Sequence, residues 1–185
     1  MIEPTVARRI RLIGLDVDGT LTDGGLYIGL AGSLQVELKR YDIQDGMGVL
    51  LLKSAGLPVV VVTGRAGEVA QLRMQEMGVD EFIADPGARK LEAFEALLKR
   101  RGIRWEESCF LGDDLPDLPL LRRVALPIAT ANACPEVRDV AVLTTKADGG
   151  HGAVREFAEA FLKARGVWAE VMRNYLRERG DVTAR

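Results

Sequence analysis

The sequence is poor in the residues that most often run hydrolytic and metal chemistry. It has one histidine, His151, and two cysteines, Cys109 and Cys134. A single histidine argues against a His-rich metal centre and against a Ser-His-Asp relay. Two cysteines are too few for a disulfide framework and lack the paired spacing of a zinc motif. Cys109 sits in an apolar run and reads as a packing residue. Long apolar runs are absent too. The stretch at 10–15 is broken by Arg11 and ended by Asp16, so it is neither a signal peptide nor a membrane span. Nor is one sign of charge in excess: 25 Lys and Arg stand against 27 Asp and Glu, for a net charge of −2. Scattered charges of both signs exclude the concentrated basic surface that nucleic acid or an anionic membrane requires. The expectation is a soluble, cytoplasmic protein whose 185 residues form one domain over 1–185 with a sizeable core. Its acid–base work falls to carboxylates or lysine.

What is present is an alternation of short apolar runs with helical periods. Residues 9–15, 58–62, 81–84, 108–111, 126–129 and 140–144 read as strands. Residues 46–55, 66–77, 90–101, 118–124, 152–163 and 167–179 read as helices. The β-branched run at 58–62 suits a strand buried on both faces, as in a parallel sheet. Trp168, Val171, Met172 and Tyr175 form a stripe at helical spacing, read as core or subunit packing. This order predicts a Rossmann-like, three-layer α/β/α domain with a mainly parallel sheet and right-handed crossovers. One insertion interrupts it, at about 24–40. There 26–28 and 34–38 read as a hairpin joined by a glycine-containing loop at 29–33. No large cap domain is expected, and a helical tail follows from about 166 to 185.

In open parallel sheets, ligands bind outside the carboxyl ends of the strands. Three expected strands end there in reactive groups: Asp16 and Asp18, then Thr63, then Asp113, Asp114 and Asp117. Lys90 opens a helix after a loop. Alone, each has a bland reading: a turn, a helix cap, a solvated lysine. Together at one sheet edge they point to a site. Asp16, Asp18 and Asp113 would repel one another without a cation, and a hard divalent ion such as Mg2+ suits oxygen ligands of this kind. Backbone N–H groups around Val17, Asp18 and Gly64 suit a phosphate, with Thr63 and Lys90 as further donors. With serine, cysteine and histidine poorly supported as nucleophiles, Asp16 is the natural attacker on phosphorus. Asp18 is placed to protonate the leaving oxygen and then to activate water, work usually worth about 10²–10⁴-fold in rate.

The order Asp16-Val17-Asp18-Gly19-Thr20, Thr63-Gly64-Arg65, Lys90 and Gly112-Asp113-Asp114-Leu115-Pro116-Asp117 resembles the four motifs of the haloacid dehalogenase superfamily. More narrowly it is similar to the short-insertion phosphatases of 3-deoxy-D-manno-octulosonate 8-phosphate. That resemblance runs from about residue 10 to 157 and includes Asp45-Gly46-Met47-Gly48 and the segment 149–156. It implies Asp16 as nucleophile and metal ligand, Asp18 as acid–base with its backbone carbonyl on the metal, and Asp113 as third protein ligand. It implies Thr63 and Lys90 on the phosphate, Asp114 and Asp117 in support, and Arg65 on the sugar acid's carboxylate. It further implies a homotetramer whose hairpins meet near its centre and whose neighbours help close each site. Two positions depart from it: Thr20 stands where that phosphatase family usually has valine, and His151 where arginine is usual. Phosphatases of nine-carbon sugar acid phosphates remain an alternative. So does a receiver-like phospho-switch, although receivers place their lysine after the last motif, whereas Asp113 follows Lys90 here.

Overall fold

The computed structural model describes residues 1–183; the last two residues of the expected C-terminal tail lie outside the described residues. The chain begins with a short helix, α1 (Pro4–Arg9), for which the sequence raises no expectation; it takes only Arg9 from the strand expected at 9–15. Strand β1 (Leu12–Leu15) follows and is paired on both sides. It lies beside β4 (Val59–Thr63) and β6 (Ser108–Gly112). Outward from these lie β5 (Glu81–Ala84) on one flank, and β7 (Leu126–Ala129) and β8 (Leu143–Thr144) on the other. Every pairing in this six-stranded sheet is parallel.

Period-2 alternation explains why the central strands are apolar throughout. Ile13, Leu15, Val59, Val61, Cys109 and Leu111 face one core cluster; Leu12, Val60, Val62 and Phe110 face the other. The first face packs against α1, α2 (Ile43–Ser54), α3 (Glu68–Met77), α7 (Ala153–Arg165) and α8 (Trp168–Glu178). The second packs against α4 (Lys90–Arg101), α5 (Leu118–Leu121) and α6 (Pro135–Val140). The result is the expected three layers. Phe94 of α4 meets Phe110 of β6 edge-on, ring centroids 5.5 Å apart. Phe157 and Phe161 of α7 fill the opposite layer. Each such buried side chain contributes about 1.5–3 kcal/mol. Cys109 is buried and Cys134 half-buried, both as free thiols. Among the described residues no helix is long and apolar enough to cross a membrane.

Between β1 and α2 stands an antiparallel hairpin of its own, β2 (Tyr27–Ala31) and β3 (Leu34–Leu38). The expected loop at 29–33 is shorter in the structure. Pairing runs to Ala31–Leu34, and Gly32-Ser33 alone make the turn, with Gly32 at φ 67°. Gly32 takes the first central position, which needs positive φ in a II′ turn. Residues 140–144 are a second difference. Val140 ends helix α6, and only Leu143–Thr144 pair with β7.

Candidate active site

The carboxyl ends of β1, β4 and β6 lie side by side because these strands are neighbours in the sheet. Asp16 follows β1 directly, its N–H donating to Leu111 O at 3.0 Å. The chain then winds tightly: the N–H groups of Thr20, Leu21 and Thr22 all point at the Val17 carbonyl, at 2.9–3.3 Å. Gly19 sits within this turn at φ 89°, packed so closely on Asp113 that a side chain there would overlap its carboxylate.

Lys90, first residue of α4, reaches back across this floor. Its Nζ donates to Asp16 Oδ1 at 2.6 Å and to Asp117 Oδ1 at 2.7 Å. All three residues are buried. A cation at a helix N-terminus opposes the helix dipole, so the two carboxylates are what hold it there. Burial acts to lower the Lys90 pKa. The charges of Asp16 and Asp117 outweigh it and raise the ammonium above its ordinary value. The other oxygen of Asp117 accepts from the N–H groups of Asp113 and Asp114, at 3.0 and 3.4 Å. Asp117 is thereby fully engaged by its own chain. Asp114 caps the turn that follows β6, accepting from Leu115 N–H at 2.8 Å.

Asp16 and Asp113 are in a different condition. Burial, followed by the charge of Asp117, raises the Asp16 carboxyl well above the usual range, against the pull of Lys90. Burial and Asp117 likewise push Asp113 up to about 7, against the bond from Thr20 Oγ1 at 3.2 Å and the charge of Lys90. Carboxylate oxygens of Asp16, Asp113 and Asp117 lie within 4.8 Å of one another, with one ammonium among them. The negative charge in excess, on hard oxygen donors with Asp16 Oδ2 and Asp113 Oδ2 uncommitted among the described residues, fits a small divalent cation.

The remaining expected residues stand around the opening. Asp16, Asp18, Thr63, Gly64, Arg65 and Lys90 line a cavity of about 210 Å3, together with Asp114. Thr63, at the end of β4, is buried and accepts from Arg65 N–H at 3.2 Å. The Asp18 carboxylate stands apart from the three-carboxylate group. It bonds Lys39 Nζ at 2.6 Å and lies 3.9 Å from Arg65 Nε. The side-chain grouping joins Asp117 to Asp16 and Asp113; Asp18, expected on the cation through its backbone carbonyl, keeps its carboxylate outside that group.

Four supporting residues, Lys39, Glu37, Asn132 and Asp45, were given no role in the sequence reading. Lys39 and its neighbour Glu37 come from the hairpin, and their spacing of two was the one signal that they share a face. Asn132 spans two loops, donating to Gly19 O at 2.9 Å and accepting from Gly149 N–H at 2.6 Å. Gly149 lies against the Gly19 carbonyl with no room for a Cβ. Asp45, buried on α2, accepts from the N–H groups of Gly152 and Arg155 at 3.3 and 3.1 Å. It therefore caps α7, whose own N-cap is a glycine. Asp45 was visible as part of a motif, but nothing in the sequence paired it with a helix more than 100 residues on. His151 is exposed, its Nδ1 2.9 Å from Gly149 O.

A family profile described as haloacid dehalogenase-like hydrolase matches residues 73–157. The 3-deoxy-D-manno-octulosonate 8-phosphate phosphatase KdsC of Escherichia coli K12 is 37% identical over 160 residues, covering 86% of this chain and 83% of that protein. The crystal structure of the corresponding phosphatase from Moraxella catarrhalis, in complex with magnesium, phosphate and KDO, superposes with a TM-score of 0.87. It is 34% identical and covers 93% of this chain and 97% of its own. The cobalt-bound form of the Haemophilus influenzae phosphatase YrbI gives a TM-score of 0.81 at 30% identity, covering 89% and 94%.

Proposed function

The chain belongs to the haloacid dehalogenase-like hydrolases, and from that premise we propose how its site works. It is a magnesium-dependent phosphomonoesterase that hydrolyses 3-deoxy-D-manno-octulosonate 8-phosphate to the free sugar acid and phosphate, as its relatives' names state of them. One observation carries this reading. A buried ammonium is shared by Asp16 and Asp117, beside a carboxylate, Asp113, that burial leaves without a cation of its own.

Asp16 attacks phosphorus through one of its two carboxylate oxygens. As the Asp16 O–P bond forms, the bond to the sugar oxygen breaks, and Asp18 gives that oxygen a proton. Water then attacks the aspartyl-phosphate, Asp18 takes up its proton, and the Asp16 carboxylate is released with inorganic phosphate. Lys90 and Thr63 lie on the cavity wall, where they bind phosphate oxygens and balance the charge that grows on them. Asp117 holds Lys90 in place. Asp16, Asp113 and the Asp18 backbone carbonyl hold magnesium, which when bound offsets charge on the carboxylates and the phosphate. Arg65, half-exposed at the mouth, receives the sugar acid's carboxylate through its guanidinium fork. Synthesis of this sugar acid for lipopolysaccharide precursors is the setting implied, in the cytoplasm.

The test is a steady-state profile over phosphorylated sugars and sugar acids, eight- and nine-carbon, with and without magnesium. Expected is metal-dependent release with kcat/KM for the eight-carbon compound at least about tenfold above the others. A phosphosugar panel that yields no phosphate with magnesium present overturns the reading.

A homotetramer is part of the same proposal. Tyr27, Ile28, Leu30, Leu34 and Leu38 of the hairpin are all exposed, an apolar surface that copies of this chain would cover. Sedimentation of the intact chain tests it: a species of four chains is expected, and a stable monomer at micromolar concentration contradicts it.

A further inference from the structure

The hairpin that faces solvent also sends one side chain inward. Leu38 ends β3, exposed, and the next residue, Lys39, turns its side chain almost wholly out of water, 2% exposed. Its Nζ lies 2.6 Å from Asp18 Oδ1 and 3.6 Å from Glu37 Oε1. Glu37 and Lys39 thus act from one face of the hairpin, two residues apart. Across the opening, Arg65 approaches both acids without closing on either: 3.9 Å to Asp18 Oδ2 and 3.8 Å to Glu37 Oε2. Arg65 is half-exposed and held by no hydrogen bond from its guanidinium among the described residues, so it is free to turn toward a ligand. Lys39 is not. Among the described residues it is the one donor within hydrogen-bond distance of the Asp18 carboxylate.

The tight turn around the Val17 carbonyl fixes the backbone of Asp18, but it does not fix the side chain. A general acid–base must keep its carboxyl within hydrogen-bond reach of the leaving oxygen and then of the attacking water. We propose that Lys39 is a positioning residue for the Asp18 side chain, so that the hairpin insertion, as well as the doubly wound core, sets the acid–base geometry. The proposal rests on the assignment of Asp18 as acid–base. Lys39 touches neither phosphorus nor the leaving group; it acts through the carboxylate it holds. The atoms in each step stay as given above: the proton moves between Asp18 and the sugar oxygen or water, and the Lys39 ammonium keeps its own.

The experiment compares two leaving groups under single-turnover conditions with enzyme in excess and magnesium present. A sugar phosphate leaves as an alkoxide that needs a proton; p-nitrophenyl phosphate leaves as a stable phenolate that does not. Lys39→Met is expected to slow release of the sugar by roughly 10–100-fold while slowing p-nitrophenolate release less than about threefold, with the enzyme concentration that gives half the maximal rate on the sugar phosphate changed less than about threefold. Lys39→Arg, which restores a cation of similar reach, recovers most of the loss. In an Asp18→Asn background, Lys39→Met adds less than about threefold, because the group it positions is already gone. Lys39→Gln shows the same leaving-group contrast and serves where the Met variant does not fold. Equal slowing of both substrates, or full additivity with Asp18→Asn, overturns the proposal and leaves the acid–base assignment standing. Asp18→Asn without any leaving-group contrast overturns that assignment, and the proposal with it.

Discussion

The two ends of the central sheet hold cavities of opposite character, and the larger one is not where the proposed chemistry lies. At the amino ends of the strands a cavity of about 440 Å3 is lined by Arg11, Arg101 and Arg165 over Leu57, Pro58 and Ile103. Its cations are engaged by their own chain. Arg165 donates to the carbonyls of Ala7 and Ile10 at 2.7 and 2.9 Å, Arg101 pairs with Glu81 at 3.1 Å, and Arg11 lies 3.6 Å from Glu107. At the carboxyl ends the cavity is about 210 Å3, yet buried carboxylates there outnumber the ammonium between them. Volume is therefore a poor guide to a site. Charge that is buried and left without a full set of partners is a better one.

Three measurements press on that contrast. Asp16→Asn should give the largest effect, lowering phosphate release by about 10⁴-fold or more. Thermal unfolding without magnesium should be unchanged or raised, because the variant removes a charge that burial disfavours. Turnover near the original level would refute the nucleophile. At the opposite end, Arg165→Ala should cost stability of about 1–2 kcal/mol, through carbonyls left without their donor, with kcat within about twofold. A variant that keeps its stability but loses turnover would erase the distinction between the two ends.

The smallest effect concerns pH. Burial and the charge of Asp117 push Asp113 up to about 7 from 3.8, so from about pH 4 to 7 the native state binds more protons at this group than the unfolded chain. Its contribution to stability then falls as pH rises through that window and stays low above it. Magnesium competes with that proton and relieves the ionised carboxylates. The rise in Tm on adding magnesium should therefore be larger at pH 8 than at pH 5.5. An equal rise at both would show that Asp113 is not a ligand.

Much of the fold was legible because a parallel sheet buried on both faces writes itself as continuous apolar runs, as at Val59–Thr63 and Ser108–Gly112. Helix α4 matched its expected bounds because Leu91, Phe94, Leu97 and Leu98 share one face over about two turns and Gly102 ends the helix in a left-handed cap. The two helices that escaped, Pro4–Arg9 and Pro135–Val140, have six residues each. That is too few for a 3.6-residue period to declare itself, and Val140, Val142 and Leu143 imitate a strand. In the hairpin, Gly29 looked like loop, but a strand exposed on both faces tolerates it, and nothing lies near its Cα to need a side chain.

The sequence by itself determined which reactive residues end each strand, since Asp16, Thr63 and Asp113 each close an apolar run that has nowhere else to go. It also determined that those runs would lie in parallel, with helices between them. Only tertiary structure decided which oxygens remain free. Lys90 chooses Asp16 and Asp117, and Lys39 chooses Asp18, across 74, 27 and 21 positions of chain. A long side chain can reach any of several partners, and the partner is set by which strands the sheet brings side by side and how deeply each carboxylate is sealed from water.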